Sequence, residues 1–135
     1  MNTLKLSERD LEILKSKALK VFPIEACALL FGEKDNSKYI VKWVLPTENK
    51  LNSPVRFEVD AQEFYKAIKK AEEKGLEFLG FFHSHQSDPT PSSIDLKFME
   101  LWENTIWLIF STTTKSLGAY MMINGETEKL EIKIV

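Results

Sequence analysis

The chain has 135 residues, 44% of them hydrophobic and 28% charged, with a formal net charge of −2. This is the make-up of one globular domain, 1–135, long enough to bury a core and too close to neutral to attract nucleic acid by its overall field. No apolar run reaches membrane-spanning length, the polar stretch from Met1 to Asp10 does not read as a secretory leader, and the single cysteine, Cys27, excludes an internal disulfide, so the cytoplasm is the expected location.

Ser7 with Asp10 three residues on forms a capping signature. Leu11, Leu14, Ala18 and Val21 then recur at helical spacing, which predicts a helix over 7–21, ended by Pro23. The apolar run from Ile24 to Gly32 reads as a buried strand. Glu25, near its mouth, is either a strand-edge acid facing water or an ionisable group set at a buried position for a purpose; the six apolar residues that follow favour the second reading. Cys27 would share a face with Glu25 and reads as a small core hydrophobe. After a polar turn at 33–37, residues 38–45 alternate, with Tyr39, Val41 and Trp43 on one face, and predict a strand hairpinned to the previous one. A loop over 46–54 leads to a short strand at 55–59. Asp60 and Glu63 then open a helix over 61–74, with Phe64, Ala67, Ile68 and Ala71 inward and Gly75 at its C-terminal cap. Residues 76–82 predict a buried strand, 93–102 a helix, and 105–110 and 116–123 two further strands. Asn124-Gly125 is a hairpin turn signal, and 127–135 alternates like one edge strand. Nothing repeats and no linker divides the chain. The fold class is α/β in the α+β sense: a mixed, largely antiparallel sheet flanked by helices.

The only two histidines, His83 and His85, stand two residues apart at the end of the buried strand 76–82. Side chains at i and i+2 of a strand share a face, so the two imidazoles can be presented side by side. Asp95 follows a Pro/Ser loop and can return as a third ligand, with Asp88 as the alternative. Two histidines, one carboxylate and an open fourth position make the ligand set of a catalytic zinc site. The His-x-His spacing alone is also met in exposed loops. Ser92 and Asp95 also read as the cap and third residue of the next helix, a role that would hold both side chains rigidly and is compatible with catalysis.

The pattern Glu25 … His83-Ser84-His85 … Ser92-x-x-Asp95 resembles the JAMM motif of the MPN-plus zinc metalloproteases, and the layout is similar from about Ser7 to the last strands. The likeness is to compact, archaeal-type, deubiquitinase-like members. It implies the MPN fold, of cytidine-deaminase-like architecture, and one zinc ion per chain held by His83, His85 and Asp95. It implies Glu25 as general base and Ser92 as a stabiliser of the tetrahedral intermediate. The implied substrate is the bond after the Gly-Gly terminus of ubiquitin or a ubiquitin-like modifier on lysine, which makes the modifier and its conjugates the expected partners, with no nucleic acid and no membrane. Two features depart from the pattern: Gln86 stands where the family carries proline, and the loop 86–91 is one residue shorter. Trimming of a sulfur-carrier protein would use the same site. A non-catalytic scaffold of this fold is weighed against by the filled ligand positions. A zinc deaminase needs a pair of ligand cysteines, and only Cys27 exists. A dimer remains open, with no residue arguing for it.

Overall fold

The computed structural model describes residues 1–135. The Ser7 hydroxyl accepts the Asp10 N–H at 3.0 Å and starts helix α1, Glu8–Val21, whose Leu14 and Ala18 are buried. Asp60 caps α2, Ala61–Glu73, by accepting from the N–H groups of Gln62 and Glu63, and Gly75 leaves that helix with a φ of 72°. Ser92 and Asp95 form a capping box that starts α3, Ser93–Leu101. Eight strands, β1 (Thr3–Leu6), β2 (Cys27–Asp35), β3 (Lys38–Thr47), β4 (Glu77–His85), β5 (Ile106–Ser111), β6 (Leu117–Ile123), β7 (Glu126–Lys129) and β8 (Glu131–Ile134), form one sheet in the order β7-β6-β5-β4-β2-β3-β1-β8. The pairs β2–β3, β2–β4, β5–β6 and β6–β7 are antiparallel, whereas β1–β3, β1–β8 and β4–β5 are parallel. This is the expected mixed, largely antiparallel sheet. Leu14 and Ala18 of α1 pack with Leu30, Phe82 and Leu108 on one face. Ala67 and Ala71 of α2 and Met99 of α3 pack with Leu29, Phe31 and Phe81 on the other.

The structure departs from the sequence reading at several points; one is that β2 runs on to Asp35, through residues expected to turn. Strand β1 was not anticipated: four residues give too little alternation to see, yet Leu4 and Leu6 are fully buried between the parallel neighbours β3 and β8. Residues 55–59 are not a strand. The Asn49 side chain takes their backbone groups instead, donating to the Arg56 carbonyl at 2.9 Å and accepting the Glu58 N–H at 3.2 Å. Trp43 does not share a face with Tyr39 and Val41. Phe31 pairs with Trp43 but Gly32 pairs with Val41, so Lys42 bulges out and the side-chain alternation reverses. Val44 thus joins Tyr39 and Val41 on the α1 face, while Trp43 lies against Phe31 on the other, ring centroids 4.9 Å apart. Finally, 127–135 is two strands. Leu130, 2% exposed, donates its N–H to the Ala119 carbonyl, and the next N–H, of Glu131, goes to the Asn2 carbonyl. One residue therefore joins strands at opposite ends of the sheet order, and the sheet curls until its ends meet.

Candidate metal centre

Strand β4 runs between β2 and β5, with His83 beside Cys27 on one side and Ile109 on the other. The strand continues through both histidines, so their shared face is fixed by the ladder. Room for the close β4–β5 approach comes from Gly80, where a Cβ would lie 2.0 Å from the Ile106 carbonyl oxygen. Asp95, the third residue of α3, accepts the Ser92 N–H on Oδ2 at 3.0 Å, and Ser92 Oγ accepts the Asp95 N–H at 3.1 Å. Glu25 lies two residues before β2, not on a strand as expected. Its N–H donates to the Ser53 carbonyl at 2.9 Å and its carbonyl accepts from Asn49 Nδ2 at 3.0 Å, so loop groups hold it where a neighbouring strand would otherwise pair. Ser84 joins the two segments: its Oγ accepts the Ala26 N–H at 2.8 Å, and its own N–H donates to the Ala26 carbonyl at 3.1 Å.

Three atoms converge. His83 Nε2 and His85 Nε2 are 3.0 Å apart, and each is 3.1 Å from Asp95 Oδ2. Glu25 Oε1 stands 3.9 Å from His83 Nε2, and the four ligand atoms all lie within 4.8 Å of one another. All four residues are buried. Burial pushes the Glu25 carboxyl up to about 8, with His85 opposing and Asp95 adding to the rise. Burial lowers His83, against its hydrogen bond to Asp95. For His85 burial acts downward too, but the hydrogen bond and charge of Asp95 prevail and raise it. Burial alone would raise Asp95; its hydrogen bonds with His83 and His85 hold it well below the usual carboxylate range.

This donor set fits a cation. The Asp88 carbonyl lies 3.3 Å from His85 Nδ1, and since a carbonyl only accepts, Nδ1 carries the proton and Nε2 turns its lone pair inward. Two imidazole nitrogens and a carboxylate oxygen converge on one point; of the two rings, His85 has its tautomer set by a partner, while His83 Nδ1 is buried without one. Triangle edges of 3.0–3.1 Å approach the roughly 3.3 Å expected between ligands of a tetrahedral ion bonded at about 2.0–2.1 Å. Glu25 Oε1 is a buried acceptor without a partner beside them.

Glu25, His83, His85 and Asp95 are thus brought together, and Ser92 lies beside them on a polar pocket that also includes Glu25, His85, Gln86 and Ser87. The Asp88 side chain is exposed and outside the group; this residue contributes its carbonyl. Cys27 is buried, 3.3 Å from Thr47 Oγ1, and burial pushes its thiol up to about 11, so it is no nucleophile. Three supporting residues went unremarked in the sequence: Ser84, Asn49 and Phe57. The ring of Phe57 stacks on His83 at 4.9 Å. Only Ser84 carried a signal, as the residue between the histidines.

A profile of prokaryotic homologs of the JAB domain matches residues 7–123. The chain is 41% identical over 122 residues to a desampylase of Pyrococcus furiosus, covering 88% of this chain and 81% of that protein. It is 34% identical over 114 residues to a desampylase of Haloferax volcanii, covering 83% and 79%. Among solved structures, a protein of Desulfitobacterium hafniense superposes with a TM-score of 0.87 at 28% identity, over 98% of this chain and 92% of that one. A protein of Salinibacter ruber shares the fold, with a TM-score of 0.72 at 24% identity over 100% and 92%.

Proposed function

The chain belongs to the prokaryotic JAB family, and from that premise we propose that it is a zinc-dependent isopeptidase that releases a ubiquitin-like modifier from lysine in its conjugates. The observation that carries this reading is the buried convergence of His83, His85 and Asp95 with Glu25 alongside. The names of two relatives, both desampylases, support the substrate class.

His83, His85 and Asp95 hold the ion, and the capping box keeps Asp95 from turning away. When bound, zinc supplies a Lewis acid for the scissile carbonyl and makes water acidic enough to lose a proton near neutral pH. Glu25 takes that proton on its carboxylate and delivers it to the departing lysine amine. Such a positioned acid–base group contributes typically about a hundred- to ten-thousand-fold. Ser92 Oγ already accepts the Asp95 N–H, so its single hydroxyl hydrogen is available to the developing oxyanion. One such donor is worth roughly 3 kcal/mol.

The test is release of intact modifier from a lysine-linked conjugate by the zinc-loaded protein, with and without chelator. Chelator-sensitive release is expected. Intact conjugates across several modifiers, with stoichiometric zinc present, would overturn the assignment.

A further inference from the structure

The partner of His85 Nδ1 is a backbone carbonyl, that of Asp88, at 3.3 Å. This is near the long limit for a hydrogen bond. The same carbonyl accepts the Thr90 N–H at 2.8 Å, so Asp88, Pro89 and Thr90 form one tight turn. Proline at its centre fixes φ and leaves the turn little freedom of its own. The residues before the turn are fastened to those that follow β5. Thr112 gives its N–H and its hydroxyl to the His85 carbonyl, at 2.8 and 3.2 Å, and Thr113 gives its hydroxyl to the Gln86 carbonyl.

The turn itself rests on β6. The Pro89 carbonyl oxygen lies against Gly118, where a Cβ would stand 2.2 Å from it and 2.8 Å from Tyr120 Cε2. Gly118 does not have a positive φ, so its backbone would suit any residue and what matters is the missing side chain. A tyrosine ring can swing aside; a backbone carbonyl moves only with its loop. Gly118 is held opposite Ile109 in the β5–β6 ladder, so the irregular loop gives way to a methyl group before the sheet does. Real Cβ contacts stay beyond 3.0 Å, which asks the turn to retreat by about 0.8 Å. A hydrogen bond already at 3.3 Å holds no such reserve. We infer that Gly118 is a positioning residue of the metal centre. By carrying no side chain it seats the turn where the Asp88 carbonyl holds the His85 ring with Nε2 toward the other ligands. His83 has no equivalent support, since its Nδ1 is buried without a partner. The inference rests on the metal reading and adds what keeps one ligand in place.

The test follows the His85 Nδ1 proton, whose exchange with water the Asp88 carbonyl slows. Nuclear magnetic resonance reads it in the metal-free protein in mildly acidic solution, where both ring nitrogens carry protons, and again with zinc. Wild type should protect this proton, and Gly118→Ala should lose most of the protection. Zinc affinity, from competition with a colorimetric chelator, should fall roughly ten- to a hundredfold in that variant, the usual loss when a ligand's outer partner is removed. Pro89→Gly loosens the turn without adding an atom to β6. It should move both readouts the same way by less, and it decides the question where Gly118→Ala does not fold. Gly125→Ala, just past β6 with a φ of 79° and open space around it, is strained without touching the turn and should leave both readouts at wild-type values. An unprotected proton in wild type, protection that Gly118→Ala keeps, or zinc bound as tightly by that variant as by wild type overturns the positioning role. The expected protection and its loss, with no zinc bound by wild type, would instead remove the metal reading and leave the seating of His85 standing.

Discussion

The hydroxyl of Ser84 accepts the Ala26 N–H at 2.8 Å, so the strand that carries both histidines is fastened to the residue next to Glu25. This bond fixes the segment that carries Glu25 against the strand that carries the two histidines, from behind the site. Ser84→Ala leaves a buried N–H without a partner, which costs about 1–3 kcal/mol. The melting temperature should drop accordingly, zinc stoichiometry should hold, and kcat should fall more than KM rises. An unchanged kcat would show that Glu25 is positioned by other contacts.

On the proposed reading, zinc would bind the folded centre and not the dispersed ligands of the unfolded chain, so it should stabilise the protein by about 4 kcal/mol at a thousand times Kd and raise the melting temperature over that of the chelated protein. His83→Ala should lose both bound metal and that rise. Glu25→Gln should keep both and lose about a hundred- to ten-thousand-fold in turnover. Metal retained by His83→Ala at full stoichiometry would remove His83 from the ligand set.

Burial pushes Glu25 from 4.5 up to about 8 in the metal-free protein. The folded chain then keeps a proton that the unfolded chain releases above its ordinary value. The unfolded state binds fewer protons across this window, so the Glu25 contribution to stability falls as pH rises from about 4.5 to about 8 and levels off above. The upper bound of that loss is roughly 4–5 kcal/mol. In chelated protein, Glu25→Gln should therefore gain stability over wild type as pH rises through this window, measured by urea midpoints. A difference constant with pH would mean that Glu25 is not held protonated.

The features of this molecule legible in the sequence are those that local chemistry dictates. Ser7, Asp60 and Ser92 each precede a helix and cap it with the expected bond, because a cap depends on residues only two or three apart. The juxtaposition of His83, His85 and Asp95 was legible for a similar reason, one strand and one cap. The features that escaped depend on partners far along the chain. Trp43 changes face because of a bulge at Lys42 set by pairing with β2. The break at Leu130 follows from where β1 lies. Asn49, in a loop without pattern, acts on backbone up to nine residues ahead and on Glu25, 24 residues behind.

Gly80 lies three residues before His83 and pairs with Ile106 of β5. A methyl group there would sit 2.0 Å from the Ile106 carbonyl oxygen and 2.7 Å from its carbon, which no side-chain rearrangement relieves. Gly80→Ala must therefore push the central strands β4 and β5 away from each other. It should cost more than the roughly 1–3 kcal/mol of ordinary overpacking, and it should weaken zinc binding by moving the histidines. Gly75→Ala is the control: open space surrounds that position, and only its φ of 72° opposes a side chain. Comparable losses in the two variants would argue against the strand contact.

Asn49 is the hub of the loop that carries Phe57, and it ties that loop to Glu25 in the connection before β2. Its Nδ2 donates to the carbonyls of Glu25, Ser53 and Arg56, and its Oδ1 accepts the N–H groups of Leu51 and Glu58. The residue is 8% exposed, so water cannot readily replace these bonds. Asn49→Ala should destabilise by about 2–4 kcal/mol, since the buried Glu25 carbonyl and four part-buried backbone groups lose a partner, at about 1–3 kcal/mol for a fully buried group and less where water can enter. Asn49→Asp separates geometry from charge: the shape is kept, but a carboxylate oxygen then faces three carbonyl oxygens. The aspartate variant should therefore be at least as unstable as the alanine variant near neutral pH and recover as the solution is acidified and the new carboxyl is protonated. Urea midpoints across pH 4–8 give the comparison, with hydrogen exchange at Glu25, Lys50 and Glu58 reporting whether the loop opens locally. An aspartate variant as stable as wild type would mean that shape alone holds this loop and that the donated hydrogen bonds contribute little.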